Sequence, residues 1–113
     1  MKKQIYNKLP LLIKRLLIES DGWMVGSAVE KLNNNEQIKD YDILVEDREK
    51  FMSCIRMIDS LKEPFMFNTF GGIKITGEFE IDIWCESLDH FLSTNCTTKY
   101  LYKIRNNVLI EIT

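Results

Sequence analysis

Long apolar runs are missing from this sequence. The longest, Leu9 to Ile13, contains a proline and falls far short of the roughly 20 residues that a membrane-spanning helix needs. No membrane partner is therefore expected. Cysteine is scarce and odd in number: Cys54, Cys85 and Cys96. The spacing fits no zinc pattern, and buried free thiols are the expectation, which implies a reducing compartment and hence a cytoplasmic location. Charge of one sign is not in excess, since 15 basic and 17 acidic residues leave a net charge of −2. That balance argues against a nucleic-acid binder held by bulk electrostatics, although it leaves room for a local basic patch. No basic tract or aromatic platform for a polymer is present, nor any repeat, linker or low-complexity segment. The opening MKKQIYNKLPLLIKRLL has the outline of a signal peptide. Lys14 and Arg15 interrupt its apolar stretch and no small-residue cleavage site follows, so no secretory leader is expected.

What is present fits one domain spanning residues 1–113, a size that buries roughly two-thirds of the unfolded surface and needs no covalent staples. Ile5, Leu9, Leu12, Ile13, Leu16 and Leu17 form one apolar stripe at helical spacing. Pro10 interrupts that stripe, so the regular helix is expected from near Leu9 with Pro10 in its first turn, ending at Gly22. Trp23–Val25 reads as a buried strand. Gly26-Ser27 then makes a tight turn into a helix, with Ser27 and Glu30 spaced as a capping box. Asp47 is placed to cap a helix carrying Phe51, Cys54, Ile55, Ile58 and Leu61 at helical spacing, and Pro64 ends it. Ser87 is placed to cap a short helix through Leu92, and the last segment reads as a hairpin turning at Asn106-Asn107. The expected class is α/β (α+β): a small mixed or antiparallel sheet with helices packed mainly on one face.

The segment KDYDILVED poses an electrostatic problem. Aspartate is depleted in strands, yet Tyr41 to Val45 reads as one, and residues two apart on a strand project to the same side. Asp40 and Asp42 would therefore stand together, and two carboxylates about 5 Å apart repel by roughly 3 kcal/mol at an effective dielectric near 20. A third aspartate, Asp82, lies between Ile81 and Ile83 in the hairpin IKITGEFEIDIW. A three-residue loop at Thr76–Glu78 would pair Ile75 with Phe79, Lys74 with Glu80, Ile73 with Ile81 and Gly72 with Asp82, which sets apolar against apolar and charge against charge. Three carboxylates on one open face suit hard divalent cations, and Gly26-Ser27 offers backbone N–H groups to phosphates. Each residue also has a plain structural explanation. Gly26-Ser27 serves equally as a turn and cap, Asp40 as a loop cap, and Asp42 as a partner for a lysine. Lys74 either reaches a phosphate or neutralises Glu80; Trp84 either stacks on a base or covers the sheet beneath a helix. His90 fits a surface position, and Lys99, Lys103 and Arg105 fit a solvated edge.

Val25-Gly26-Ser27, followed after twelve residues by Asp40-Tyr41-Asp42-Ile43 and later by Ile81-Asp82-Ile83, resembles the DNA polymerase β-like nucleotidyltransferase superfamily, as a minimal single-domain member. The resemblance runs from Trp23 to Trp84. It implies that Asp40, Asp42 and Asp82 are catalytic and hold two Mg²⁺ ions, for which Mn²⁺ substitutes. Asp82 would also help deprotonate an acceptor hydroxyl. Gly26 and Ser27 would hold the β- and γ-phosphates of an NTP, with Lys74 a weaker candidate for the same task. The implied reaction is transfer of an NMP group from the NTP to a hydroxyl on a protein side chain, an RNA end or a small molecule. The same resemblance allows a catalytically silent binding module, paired with a small helical protein in the manner of an antitoxin. Three acids would also serve a two-metal nuclease, which the Gly-Ser turn disfavours.

Overall fold

The apolar stripe at the start of the chain folds as expected in burial but not in continuity. In the computed structural model, which describes residues 2–69, 71–94 and 98–112, Ile5, Leu9, Ile13, Leu16 and Leu17 are all buried. Ile5 belongs to α1 (Lys2–Lys8), Ile13, Leu16 and Leu17 to α2 (Leu11–Ser20), and Leu9 to the break between them, where a single helix beginning near Leu9 was expected. Pro10 lies before the first turn of α2 with extended ψ of 153°. A proline there lacks the N–H that would have continued α1, and its ring opposes the preceding helical turn. The end of α2 also differs: Asp21, not Gly22, takes the left-handed cap at φ 49° and donates its N–H to Ile18 O. Gly22 serves instead for close approach, since a Cβ there would sit 2.7 Å from Ser20 Oγ and 2.9 Å from Leu44 O.

Seven strands form one mixed sheet: β1 (Trp23–Val25), β2 (Asp40–Val45), β3 (Phe65–Phe67), β4 (Ile73–Ile75), β5 (Glu80–Cys85), β6 (Tyr100–Lys103) and β7 (Val108–Glu111). Their order is β3-β4-β5-β2-β1-β6-β7. The central pair, β2 and β5, runs parallel, and the other neighbours are antiparallel. Alternation sorts the side chains cleanly. Met24, Tyr41, Ile43, Val45, Ile81, Ile83 and Tyr102 face one way and join the apolar sides of α1, α2, α3 (Ala28–Asn33) and α4 (Arg48–Ser60). Trp23, Val25, Leu44 and Leu101 face the other way, against Phe91 of α5 (Leu88–Thr94). Asp47 caps α4 as expected, its Oδ1 accepting from the N–H groups of Glu49 and Lys50 at 2.8 and 3.1 Å. Ser87 accepts from His90 N–H at 3.2 Å at the start of α5. The last hairpin turns through Asn106 and Asn107, both at positive φ.

The β4–β5 hairpin is shifted by two residues from the expected register: Ile75 pairs with Ile81, Lys74 with Asp82 and Ile73 with Ile83. Even shifts preserve the faces, so Ile73, Ile75, Ile81 and Ile83 are all buried. The cause is non-local. Glu80 N–H donates to Lys39 O at 2.7 Å, and Phe79 packs edge-on against Tyr41 with ring centroids 5.3 Å apart. The residues that would have extended the hairpin are therefore taken by β2. Gly72 consequently lies against Ile83 O and Trp84 Cβ, at 3.0 and 3.1 Å from a notional Cβ, and not beside Asp82.

Cys54 is buried and donates weakly to Leu16 O at 3.5 Å; burial pushes its thiol up to about 11. Cys85 is a partly buried free thiol, and Cys96 lies outside the described residues. No helix among the described residues is long and apolar enough to cross a membrane.

All three basic residues assigned to a solvated edge have a specific partner. Arg105 Nη1 and Lys50 Nζ donate to Asp21 Oδ2 at 3.1 and 3.3 Å, and Lys103 Nζ stands 3.9 Å from Oδ1. Lys99 pairs with Glu30 at 3.6 Å. Desolvation pushes the Asp21 carboxyl up, but the hydrogen bonds from Arg105 and Lys50 and the charges of Lys103 and Lys50 outweigh it and leave the group below its ordinary value. A depressed carboxylate stabilises the fold above its unfolded pKa, and that contribution is lost as pH falls through the folded value. Asp21→Asn should therefore lower stability at pH 7 by about 1–2 kcal/mol. Urea midpoints compared across pH should show the gap between variant and native chain closing below about pH 4.

Candidate active site

The registers of five strands align one row of side chains across the sheet: Val25 on β1, Asp42 on β2, Asp82 on β5, Lys74 on β4 and Met66 on β3. One pleat earlier, Asp40 stands opposite Glu80. These positions share a face with Leu44 and Trp84, but α5 covers only the latter end of that face. The three aspartates singled out in the sequence therefore meet on one open surface. Asp42 and Asp82 are direct partners on adjacent parallel strands, which stand about 4.8 Å apart.

That juxtaposition has an electrostatic cost. Desolvation first, then the charges of Asp82 and Asp40, push the Asp42 carboxyl up to about 6, and Lys74 opposes this only in part. Lys74 Nζ lies 3.8 Å from Asp82 Oδ1 and 3.9 Å from Glu80 Oε2. The lysine thus contacts both acids, where a pair with Glu80 was expected. Its side chain is 40 % exposed, and exposed pairs of this length contribute about 0–1 kcal/mol. Among the described residues, no three acidic, histidine or cysteine side chains are drawn together closely enough to hold a metal ion as they stand. The donor set nonetheless suits one in kind: hard oxygen ligands on one face, with a central carboxylate that favours any added positive charge.

The Gly26-Ser27 turn is pressed directly against Asp42. Gly26 has φ +76°, and a Cβ there would lie 2.6 Å from Asp42 Oδ2, so glycine is required both by conformation and by space. The expected capping box does not form. Ser27 is already helical at φ −86° and ψ −9°, and its side chain makes no cap hydrogen bond, while Glu30 is turned to Lys99. The backbone starts the helix without the hydroxyl, through Lys31 N–H to Ser27 O at 3.0 Å.

Two cavities adjoin at Asp42 and Trp84. One, of about 420 Å³, is lined by Gly26, Ser27, Phe91 and Thr98; the other, of about 600 Å³, by Asp82, Asn68, Glu86 and His90. Trp84 packs on Phe91 with centroids 5.8 Å apart and donates Nε1–H to Glu86 Oε1 at 2.9 Å. It therefore covers the sheet under α5 while also walling both cavities. His90 is exposed at the surface, paired through Nδ1 with Glu86. Glu46 secures α5, accepting from Trp23 Nε1 at 3.1 Å and Leu88 N–H at 3.2 Å. Thr98, Asn68 and Glu86 were not singled out in the sequence. Thr98 and Asn68 belong to no local pattern and reach the site through the packing of distant segments, whereas Glu86 continues the alternation of Asp82 and Trp84 just past β5, a signal that was present in the sequence.

The architecture is that of a nucleotidyltransferase fold. The solved complex structure of CCA-adding enzyme with ATP superposes on it with a TM-score of 0.67 and 17 % identity, over 96 % of this chain and 32 % of that one. This chain thus spans about a third of the length of that structure. No family model matches the sequence, and no curated protein matches it.

A carboxylate raised above its ordinary value costs stability wherever it is ionised in the folded state. For Asp42 that cost grows as pH rises from about 4 to about 6 and is full above that. Asp42→Asn should accordingly raise stability by about 2 kcal/mol at pH 8, after allowance for screening of the half-open site. The gain should vanish near pH 4; thermal melts of both proteins across that range measure it.

Proposed function

We propose that this chain is a Mg²⁺-dependent nucleotidyltransferase that passes an NMP group from an NTP to a hydroxyl acceptor. The observation that carries this reading is the position of Asp42. It is opposed in register by Asp82 and pressed on its other side by the Gly26 turn, in a fold shared with part of an enzyme solved with ATP. Asp40, Asp42 and Asp82 would hold the two ions. When bound, the ions would neutralise the carboxylates and stabilise negative charge on the attacking and leaving oxygens. The backbone N–H groups of Gly26-Ser27 and the unspent Ser27 hydroxyl bind the phosphates, and Lys74, in contact with Asp82, is a weaker candidate for the same task. The acceptor oxygen attacks the α-phosphorus, the bond to pyrophosphate breaks, and pyrophosphate departs. Asp82 accepts the proton of the acceptor hydroxyl. Positioning and fixed charge carry the catalysis.

The test is incubation of the purified chain with each α-labelled NTP, Mg²⁺ or Mn²⁺, and cell lysate. Label should appear on a macromolecule or small molecule, with Asp42→Asn and Asp82→Asn each reducing it by about 1,000-fold while the variants stay folded. Bound nucleotide without transfer would instead assign a binding module. Phosphodiester cleavage without NTP would assign a nuclease.

A further inference from the structure

The smaller of the two cavities holds a polar group that the fold does not use. Thr98 is only 6 % exposed and lines that cavity together with Gly26 and Ser27. No hydrogen bond joins its side chain to a described residue, and its oxygen is not one of the buried atoms closed off without a partner, so it opens on the cavity. A hydroxyl that opens on a cavity and bonds no described residue has its donor and both acceptor sites available to a ligand there. Its surroundings say what would satisfy it. Among the described residues the lining includes Trp84, Phe91, Asp42, Gly26 and two hydroxyls, and no lysine or arginine. The Gly26-Ser27 turn suits phosphates. The Trp84 and Phe91 side chains and the neutral Thr98 hydroxyl suit an uncharged sugar and heteroaromatic base.

We propose that Thr98 binds the nucleoside half of the donor nucleotide, its hydroxyl bonding a neutral polar group of the sugar or base held against Trp84 and Phe91. This rests on the nucleotidyltransferase reading above and adds to it a side chain selective for the nucleoside over the phosphates.

The experiment titrates native chain, Thr98→Val and Thr98→Ser with ATP, GTP, CTP and UTP, and separately with inorganic tripolyphosphate, all in Mn²⁺, and records thermal melts without ligand. Thr98→Val should bind its preferred NTP about tenfold more weakly, with tripolyphosphate binding unchanged and ligand-free melting unchanged or raised. Thr98→Ser should retain native affinity. Equal NTP binding by native chain and Thr98→Val would overturn the inference while leaving the wider reading in place. Equal weakening toward tripolyphosphate, or loss of ligand-free stability in Thr98→Val rescued by Thr98→Ser, would overturn it too, by assigning the hydroxyl to phosphate or to internal structure. Failure of the native chain to bind any NTP would overturn both.

Discussion

The parallel pairing of β2 with β5 is the constraint on which the site depends, because it sets Asp42 opposite Asp82 and gives neither a strong partner. Nothing about the two carboxylates favours this arrangement. It is imposed from the other face of the same strands, where Tyr41, Ile43, Ile81 and Ile83 are buried beneath the helices. Sliding β5 by one residue would relieve the acids but turn Asp82 and Trp84 into the core and expose both isoleucines. Burial of each isoleucine is worth about 1.5–3 kcal/mol, and a buried, unpaired carboxylate costs several more. The like-charge repulsion, roughly 3 kcal/mol for a close pair, is the smaller quantity. The core therefore holds the acids together against their own preference.

How much of this was legible in the sequence follows from the range of each interaction. The period-two pattern of Tyr41-Asp42-Ile43 and Ile81-Asp82-Ile83 needs only neighbouring residues to interpret, and the faces it implies are those of the structure. The capping of α4 by Asp47 and the Asn106-Asn107 turn are equally local. The hairpin register was not legible. Locally, Lys74 against Glu80 is as good a match as Lys74 against Asp82, and the choice is made by Tyr41 on β2 and by Lys39 just before it. The same holds for Ser27, whose spacing to Glu30 fits a capping box; Lys99, from near the far end of the chain, takes the glutamate instead. Thr98 had no local signal at all. Its place beside the Gly26 turn depends on where β6 joins the sheet.

The distribution of basic residues explains why the acids remain unneutralised. Lys50, Lys103 and Arg105, drawn from α4, β6 and the turn after it, gather on Asp21 ahead of β1, and Lys103 also lies over the Trp23 ring at 4.7 Å. Gly26 and Asp42 lie at the other end of that strand, about 10 Å away along three residues. The cluster ties the end of α2 to α4 and the last hairpin, so those cations are committed to structure. Among the described residues Lys74 is the cation that lowers the Asp42 carboxyl, and it does not prevail. A fold that commits these cations at one end of β1 and sets carboxylates together at the other leaves the acids incompletely neutralised. The same separation explains why a chain with a net charge of only −2 maintains so strong a local field: charge placement, set by strand register, decides the chemistry where composition cannot.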